Sequence, residues 1–228
     1  KVWDKREFKD FADDVEIGTR NMKVALRKLR RLTRDGRPDE LDVDATVRGT
    51  AHEGHLDIHL RPERRNAVKV LMFLDVGGSM DWLVKEAQEL FSAARSEFKH
   101  LEYFYFHNCL YEHVWKDNVR RWTDKTPTWD VLHTYPADTK VIFVGDAAMS
   151  PYEISVPGGA VEHMNPESGA EWLKRVTGLY ERSVWLNPLP RENWAWTPSI
   201  GMIERLMQGR MFPLTIDGLD RAIRVLMR

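Results

Sequence analysis

From residue 67 onward, apolar runs of strand length alternate with stretches whose apolar residues recur every three or four positions. Residues 67–74 (AVKVLMFL) form an apolar run broken only by Lys69, as expected of a strand buried on both faces. The run ends in Asp75-Val-Gly-Gly-Ser-Met80, after which Leu83, Ala87, Leu90, Phe91, Ala94 and Phe98 share one helical face. Residues 101–106 (LEYFYF) and 140–145 (KVIFVG) predict two further strands, with a short helix at 129–135 between them. Residues 151–169, rich in proline and glycine, read as a long loop. Trp172, Leu173, Val176 and Tyr180 mark a helix, residues 183–186 a strand, and Ile200, Ile203, Leu206 and Met207 another helix. Residues 211–216 fit an edge strand, because Pro213 has no N–H to give a ladder, and Leu219, Ala222, Ile223 and Leu226 fit a closing helix. This alternation predicts an α/β fold: a doubly wound, mainly parallel central sheet with helices on both faces.

The first 66 residues follow another rhythm and are read as an N-terminal helical and β extension, with residues 67–228 as the α/β domain. Phe8, Phe11, Val15, Met22, Ala25, Leu26, Leu29 and Leu32 recur at helical spacing, with a break near Gly18, and basic residues from Arg27 to Arg37 fill the other faces. For residues 41–60 two readings stand. Asp44 could cap a short helix ending at Gly54, while the alternation Leu41/Val43/Ala45/Val47 permits a strand. Leu56, Ile58 and Leu60, alternating with Asp57 and His59, predict a half-buried strand.

Composition narrows the function classes. The 228 residues are 43% hydrophobic and 30% charged, with a formal net charge of −1. No global field draws the chain to nucleic acid or an anionic membrane, and the basic run 27–37 reads as the solvated face of a helix. The single cysteine, Cys109, cannot form an internal disulfide, which suits a reducing, cytoplasmic compartment. No apolar run approaches the roughly 20 residues that span a bilayer. The chain starts at Lys1 without a secretory pattern, so a trimmed, C-terminal piece of a longer protein is expected.

The candidate chemistry lies at strand ends. Asp75 closes the first buried strand and Asp146 follows another, in VGDAAMS. In an open parallel sheet such ends line the ligand crevice. Two carboxylates there repel each other unless a cation sits between them. Ser79, four residues after Asp75, adds a hydroxyl at the turn into the next helix. Oxygen donors around an open site suit Mg²⁺ or Mn²⁺.

These residues resemble a known family. Asp75-Val-Gly-Gly-Ser79 after a buried strand is similar to the metal-ion-dependent adhesion site of von Willebrand factor A (VWA) domains, whose motif is Asp-x-Ser-x-Ser followed by a distant Thr and a distant Asp. The stretches LMFLDVGGSMDW, VIFVGDAAMSPYE, VWLNPLP and FPLTIDGLDRAIRVL, with LDVDAT before them, resemble the bacterial CoxE-like branch. The resemblance implies Asp75 as a ligand directly or through water, Ser79 as a direct ligand, Asp146 as the downstream carboxylate and Thr128 as the threonine, with Thr126 and Thr123 as rivals. Gly77 stands where the family has its middle serine, which implies weaker metal binding. It further implies an adaptor and not an enzyme: a partner's acidic side chain completes the metal shell, and the partner is similar to a MoxR-type AAA+ ATPase.

Other readings compete. Asp75 and Asp146 could simply cap helices. LDVGGS also resembles the first motif of methyltransferases, which leaves a Rossmann-like enzyme binding a nucleotide or S-adenosylmethionine as the alternative. It lacks the third glycine, and the next strand ends in His107-Asn108 without an acid for a ribose. His52, His55, His59, His107, His113 and Cys109 make no zinc pattern on a confident helix. Glu153, Glu162 and His163 lie in the 151–169 loop, which could gate the metal site, and Trp82 beside it is a candidate for partner contact.

Overall fold

Lys69–Asp75 (β1) forms an interior strand of a five-stranded sheet because nearly every residue in it is apolar and can face a helix layer on either side. The other strands are His100–Phe106 (β2), Lys140–Val144 (β3), Ser183–Asn187 (β4) and Met211–Pro213 (β5). Their order is β5-β4-β3-β1-β2, all pairs parallel. The computed structural model describes residues 19–30, 32–33, 37–62, 65–66 and 68–228. The larger compact unit takes residues up to Leu29 together with Lys69–Arg228, and Arg30–Val68 form a second unit.

From β1 the chain goes outward to β2 and then crosses back to β3 on the other side, so the switch in strand order lies between β1 and β3. Along β1 the two faces divide by parity. Leu71 and Phe73 join Phe143, Trp185 and residues of Gly169–Leu179 and Pro198–Leu206 in one core. The ring of Phe143 stacks on Phe73 at 5.1 Å and on Trp185 at 5.2 Å. Val70, Met72 and Leu74, pointing the other way, are buried as well. Beyond β2 the sheet gains an antiparallel contact, Tyr105 and Trp115 exchanging both backbone hydrogen bonds at 2.7 and 3.1 Å. β5 lies at the edge, where Pro213 is tolerated.

Numbered in chain order, the helices are Thr19–Arg27 (α1), Val43–Glu53 (α2), Val84–Glu97 (α3), Thr128–Thr134 (α4), Pro151–Ser155 (α5), Gly169–Leu179 (α6), Pro198–Leu206 (α7) and Ile216–Leu226 (α8). α1 packs on α3 and α8 within the larger unit, burying Met22, Ala25 and Leu26. At its end, Arg27 donates to both oxygens of the buried Glu97 at 3.2 Å, and Lys28, just beyond it, donates to Asp220. Phe8, Phe11, Val15 and Gly18, read from sequence as part of this helix, lie outside the described residues, as do Arg31 and Arg34.

In the second unit the ambiguity over residues 41–60 resolves as a helix. Asp42 caps α2 by accepting from the Ala45 N–H at 3.0 Å, and Gly54 ends it in the left-handed region at φ 71°. The cap is thus Asp42 and not Asp44. The half-buried strand expected at Leu56, Ile58 and Leu60 does not form: residues 56–59 are irregular, and these three side chains are 69, 59 and 52% exposed. The backbone N–H groups of Asp57 and His59 are taken by the hydroxyls of Thr50 and Thr46, at 3.1 and 2.9 Å, which removes the donors a ladder would need. Only Leu60–Pro62 pairs, antiparallel with Pro38–Leu41. Among the described residues, no helix is long and apolar enough to cross a membrane.

Candidate functional site

Asp75 is the last residue of β1 and is 1% exposed. Its Oδ1 accepts from the backbone N–H of Asn108, at the end of β2, at 2.8 Å. On the other side it packs against Gly145. A Cβ at position 145 would sit 2.7 Å from the Asp75 Cβ and 3.0 Å from its Oδ2, so only glycine lets β3 approach this closely. After Asp75 the chain turns through Gly77 and Gly78, at φ 83° and 62°, into a 3-10 turn, Gly78–Trp82, that carries Ser79. The His107 ring bonds the Val76 carbonyl through Nδ1 at 2.7 Å and so ties this turn to β2.

Asp146 follows β3 and is 2% exposed. Its loop is held at successive carbonyls by buried side chains. Trp185 Nε1 donates to Gly145, Asn187 Nδ2 to Asp146 and Ser199 Oγ to Ala147, each at 2.7 Å. Ala147 sits at φ 56°, unfavourable for a residue with a Cβ. Asn108, at φ 58°, is a second such residue at the same sheet edge. Strain of this kind persists only where surrounding contacts over-determine it.

The carboxylates are close enough to oppose each other's ionisation. Burial first, then the charges of Asp146 and Glu153, push the Asp75 pKa well above the usual range against the Asn108 hydrogen bond. Burial also raises Asp146, while the Ser79 hydroxyl, the Ala148 N–H and the His107 ring pull it back down. Ala148 N–H donates to Asp146 Oδ1 at 2.9 Å. Ser79 stands near the carboxylate, but Oδ2 is buried and makes no hydrogen bond of ordinary geometry. Such an atom costs about 1–3 kcal/mol if nothing meets it. Among the described residues, neither Asp75 nor Asp146 has a lysine or arginine partner.

The structure thus brings together Asp75, Asp146 and Ser79. Gly77 supplies the turn and has no side-chain donor. Thr128 is fully buried, and its hydroxyl donates to the Tyr111 carbonyl at 2.6 Å. Of its rivals, Thr123 donates to the Arg120 carbonyl at 3.3 Å, and Thr126 lies in the short ladder pairing with Val114. Among the described residues, no group of three or more His, Cys, Asp or Glu is placed to hold a metal ion. Cys109 is buried, and that burial pushes its thiol up to about 12. Trp82, at the end of the turn, is 90% exposed.

Sequence reasoning passed over Asn108 as a contributor and placed Glu153 only in a loop. Glu153 is 2% exposed, and Asn108 Nδ2 lies 3.1 Å from both of its oxygens. The capping box Ser150-x-x-Glu153 was the available signal for its fixed position. The 151–169 segment is less loop-like than expected: α5 occupies its start, and Asn165 braces the rest through Ala160 N–H at 2.9 Å and Glu167 O at 2.7 Å.

A parallel sheet with helices around it, and an acid at the end of each strand flanking its switch point, is consistent with a von Willebrand factor A- or Rossmann-like α/β fold. Residues 16–114 match the family described as VWA domain containing CoxE-like protein, so over that segment the chain is similar to that family. The match supports a VWA-type protein-interaction role. No curated protein and no solved structure matches the chain.

Proposed function

We propose that the protein is a metal-ion-dependent protein–protein interaction module, an adaptor working with a MoxR-type AAA+ ATPase in the assembly or activation of protein complexes. The observation that carries this reading is the unmet Oδ2 of Asp146 beside the buried, mutually repelling Asp75, with Ser79 at the rim. A hard divalent cation, Mg²⁺ or Mn²⁺, removes the repulsion and meets the orphaned oxygen. Asp75, Asp146 and Ser79 are the residues that would hold it. With Gly77 lacking a hydroxyl, the donor set is short, which leaves room for a carboxylate from a partner. The reading asks for no general base, no nucleophile and therefore no enzymatic step. The ATPase partnership rests on the CoxE-like resemblance.

Calorimetric titration of Mg²⁺ and Mn²⁺ into the wild type and Asp75→Ala tests it. Saturable binding lost in the variant is expected. A wild type that takes up neither ion overturns the metal part of the reading.

A further inference from the structure

Asn108 stands between two carboxylates and contacts each with a different part of itself. Its backbone N–H holds Asp75 Oδ1 at 2.8 Å, and its side-chain amide spans both oxygens of Glu153 at 3.1 Å. Asn108 presents that N–H from a left-handed backbone, which asparagine adopts more readily than most residues with a Cβ. Glu153 is itself fixed from two further directions: the Ser150 N–H reaches its Oε1 at 3.2 Å, and Tyr111 donates to its carbonyl at 3.1 Å. The chain of contacts therefore runs from the segment after β3, through the end of β2, to the acid that closes β1.

We infer that Glu153 is a positioning residue for Asp75, acting through Asn108. This deepens the metal-ion reading and rests on it. Glu153 does not join Asp75 and Asp146 in a ligand cluster. It aims the hydrogen bond that leaves Asp75 Oδ1 occupied and Oδ2 on the side of Gly145 and the β3 loop. Its carboxylate accepts two hydrogen bonds from a single amide group, which a neutral glutamine cannot do with both of its terminal atoms. The competing account is local: Glu153 merely completes the capping box of α5. Removing the Ser150 side chain breaks only the Tyr152 half of the box, whereas Asn108→Gly removes the amide and leaves the Ser150 N–H bond to Glu153 in place, so the two accounts separate.

The test measures amide hydrogen exchange at residue 108 and Mn²⁺ affinity in the wild type, Glu153→Gln, Ser150→Ala and Asn108→Gly. Glu153→Gln should speed exchange at residue 108 and weaken Mn²⁺ binding about 10-fold, as loss of an orienting partner does, while Ser150→Ala leaves both near wild type. Asn108→Gly keeps the positive φ and the N–H but loses the amide, and it repeats both effects should Glu153→Gln fail to fold. Unchanged exchange at residue 108 in Glu153→Gln overturns the inference, as does Ser150→Ala matching Glu153→Gln in both readouts. If the wild type binds no Mn²⁺ yet Glu153→Gln alone speeds that exchange, the positioning role stands and the metal reading falls.

Discussion

Two sets of acids in the larger unit are handled in opposite ways. Glu112 and Glu162 lie beside basic side chains: His163 Nε2 is 3.1 Å from Glu112, whose Oε2 is nonetheless buried without a hydrogen bond, and Arg121 is 3.9 Å from Glu162. They border a cavity of about 40 Å³ beside Trp122, whose ring also carries Arg121 at 5.1 Å and Lys125 at 4.8 Å. Asp75 and Asp146 are more deeply buried and receive backbone amides and a nearby hydroxyl instead. An acid paired with a built-in cation completes a structure. An acid held mainly by dipoles either takes up a proton, as the raised Asp75 pKa favours, or needs a cation from outside to balance its charge. On the proposed reading, ion dependence would arise at the ends of β1 and β3 and not at the aromatic cavity.

The largest effect should come from closing the gap between β1 and β3. Gly145→Ala puts a methyl 2.7 Å from the Asp75 Cβ, and Asp75 is braced from behind by Asn108. Relief requires β1 or β3 to shift, at a cost of about 1–3 kcal/mol. Urea unfolding should show that loss, and Mn²⁺ binding should disappear with it. Stability equal to wild type would mean that the strands can separate freely, and the rigid crevice would be lost as an idea.

That glycine illustrates how unevenly the molecule can be read from its residues. The run before Asp75 announces a doubly buried strand, and the acid at its end is legible because chain order alone brings strand ends to one edge. Gly145, Asn108 and Glu153 are not legible in that way. Each matters through contacts with residues 33 to 70 positions away, such as Asn108 with Asp75 and Glu153. Thr128 was chosen for standing just before a helix; it does begin α4, and its hydroxyl donates to a carbonyl 17 residues upstream, a contact that spacing alone could not show. The alternation at Leu56, Ile58 and Leu60 misleads for a related reason: period two describes a strand only when the backbone between has a partner, and threonine side chains reach it first.

A second, smaller effect separates the two acid sets by pH. The folded-state pKa of Asp75 is raised. Its protonated form thus favours folding below the unfolded pKa, and that stability is lost as pH rises through the folded value. Metal-free Asp75→Asn, which keeps an acceptor for Asn108 and carries no charge, should therefore gain on the wild type as pH is raised from acid to neutral. Saturating Mg²⁺ should reverse the order at neutral pH, because only the carboxylate holds the ion. Glu112→Gln should show neither the gain nor any response to Mg²⁺. Chemical denaturation across pH, with and without Mg²⁺, reads all three. An identical Mg²⁺ response in wild type and Asp75→Asn would remove the ion from this crevice.

The smallest stability change should carry the sharpest information about ligands. Ser79 is exposed on a short turn, so Ser79→Ala should alter stability by no more than about 0.5 kcal/mol. Thr128→Val removes a buried 2.6 Å hydrogen bond and leaves the Tyr111 carbonyl short of a donor, a loss of about 1–3 kcal/mol. If the ion is held as proposed, their effects on Mn²⁺ affinity run in the opposite order: a marked loss in Ser79→Ala and little change in Thr128→Val. The reverse result would mean that Thr128 turns from Tyr111 to the ion when the ion arrives, and the threonine of the family motif would regain its role here. Stability and affinity measured on the same two variants therefore distinguish a crevice already shaped for its ion from one that the ion must rearrange.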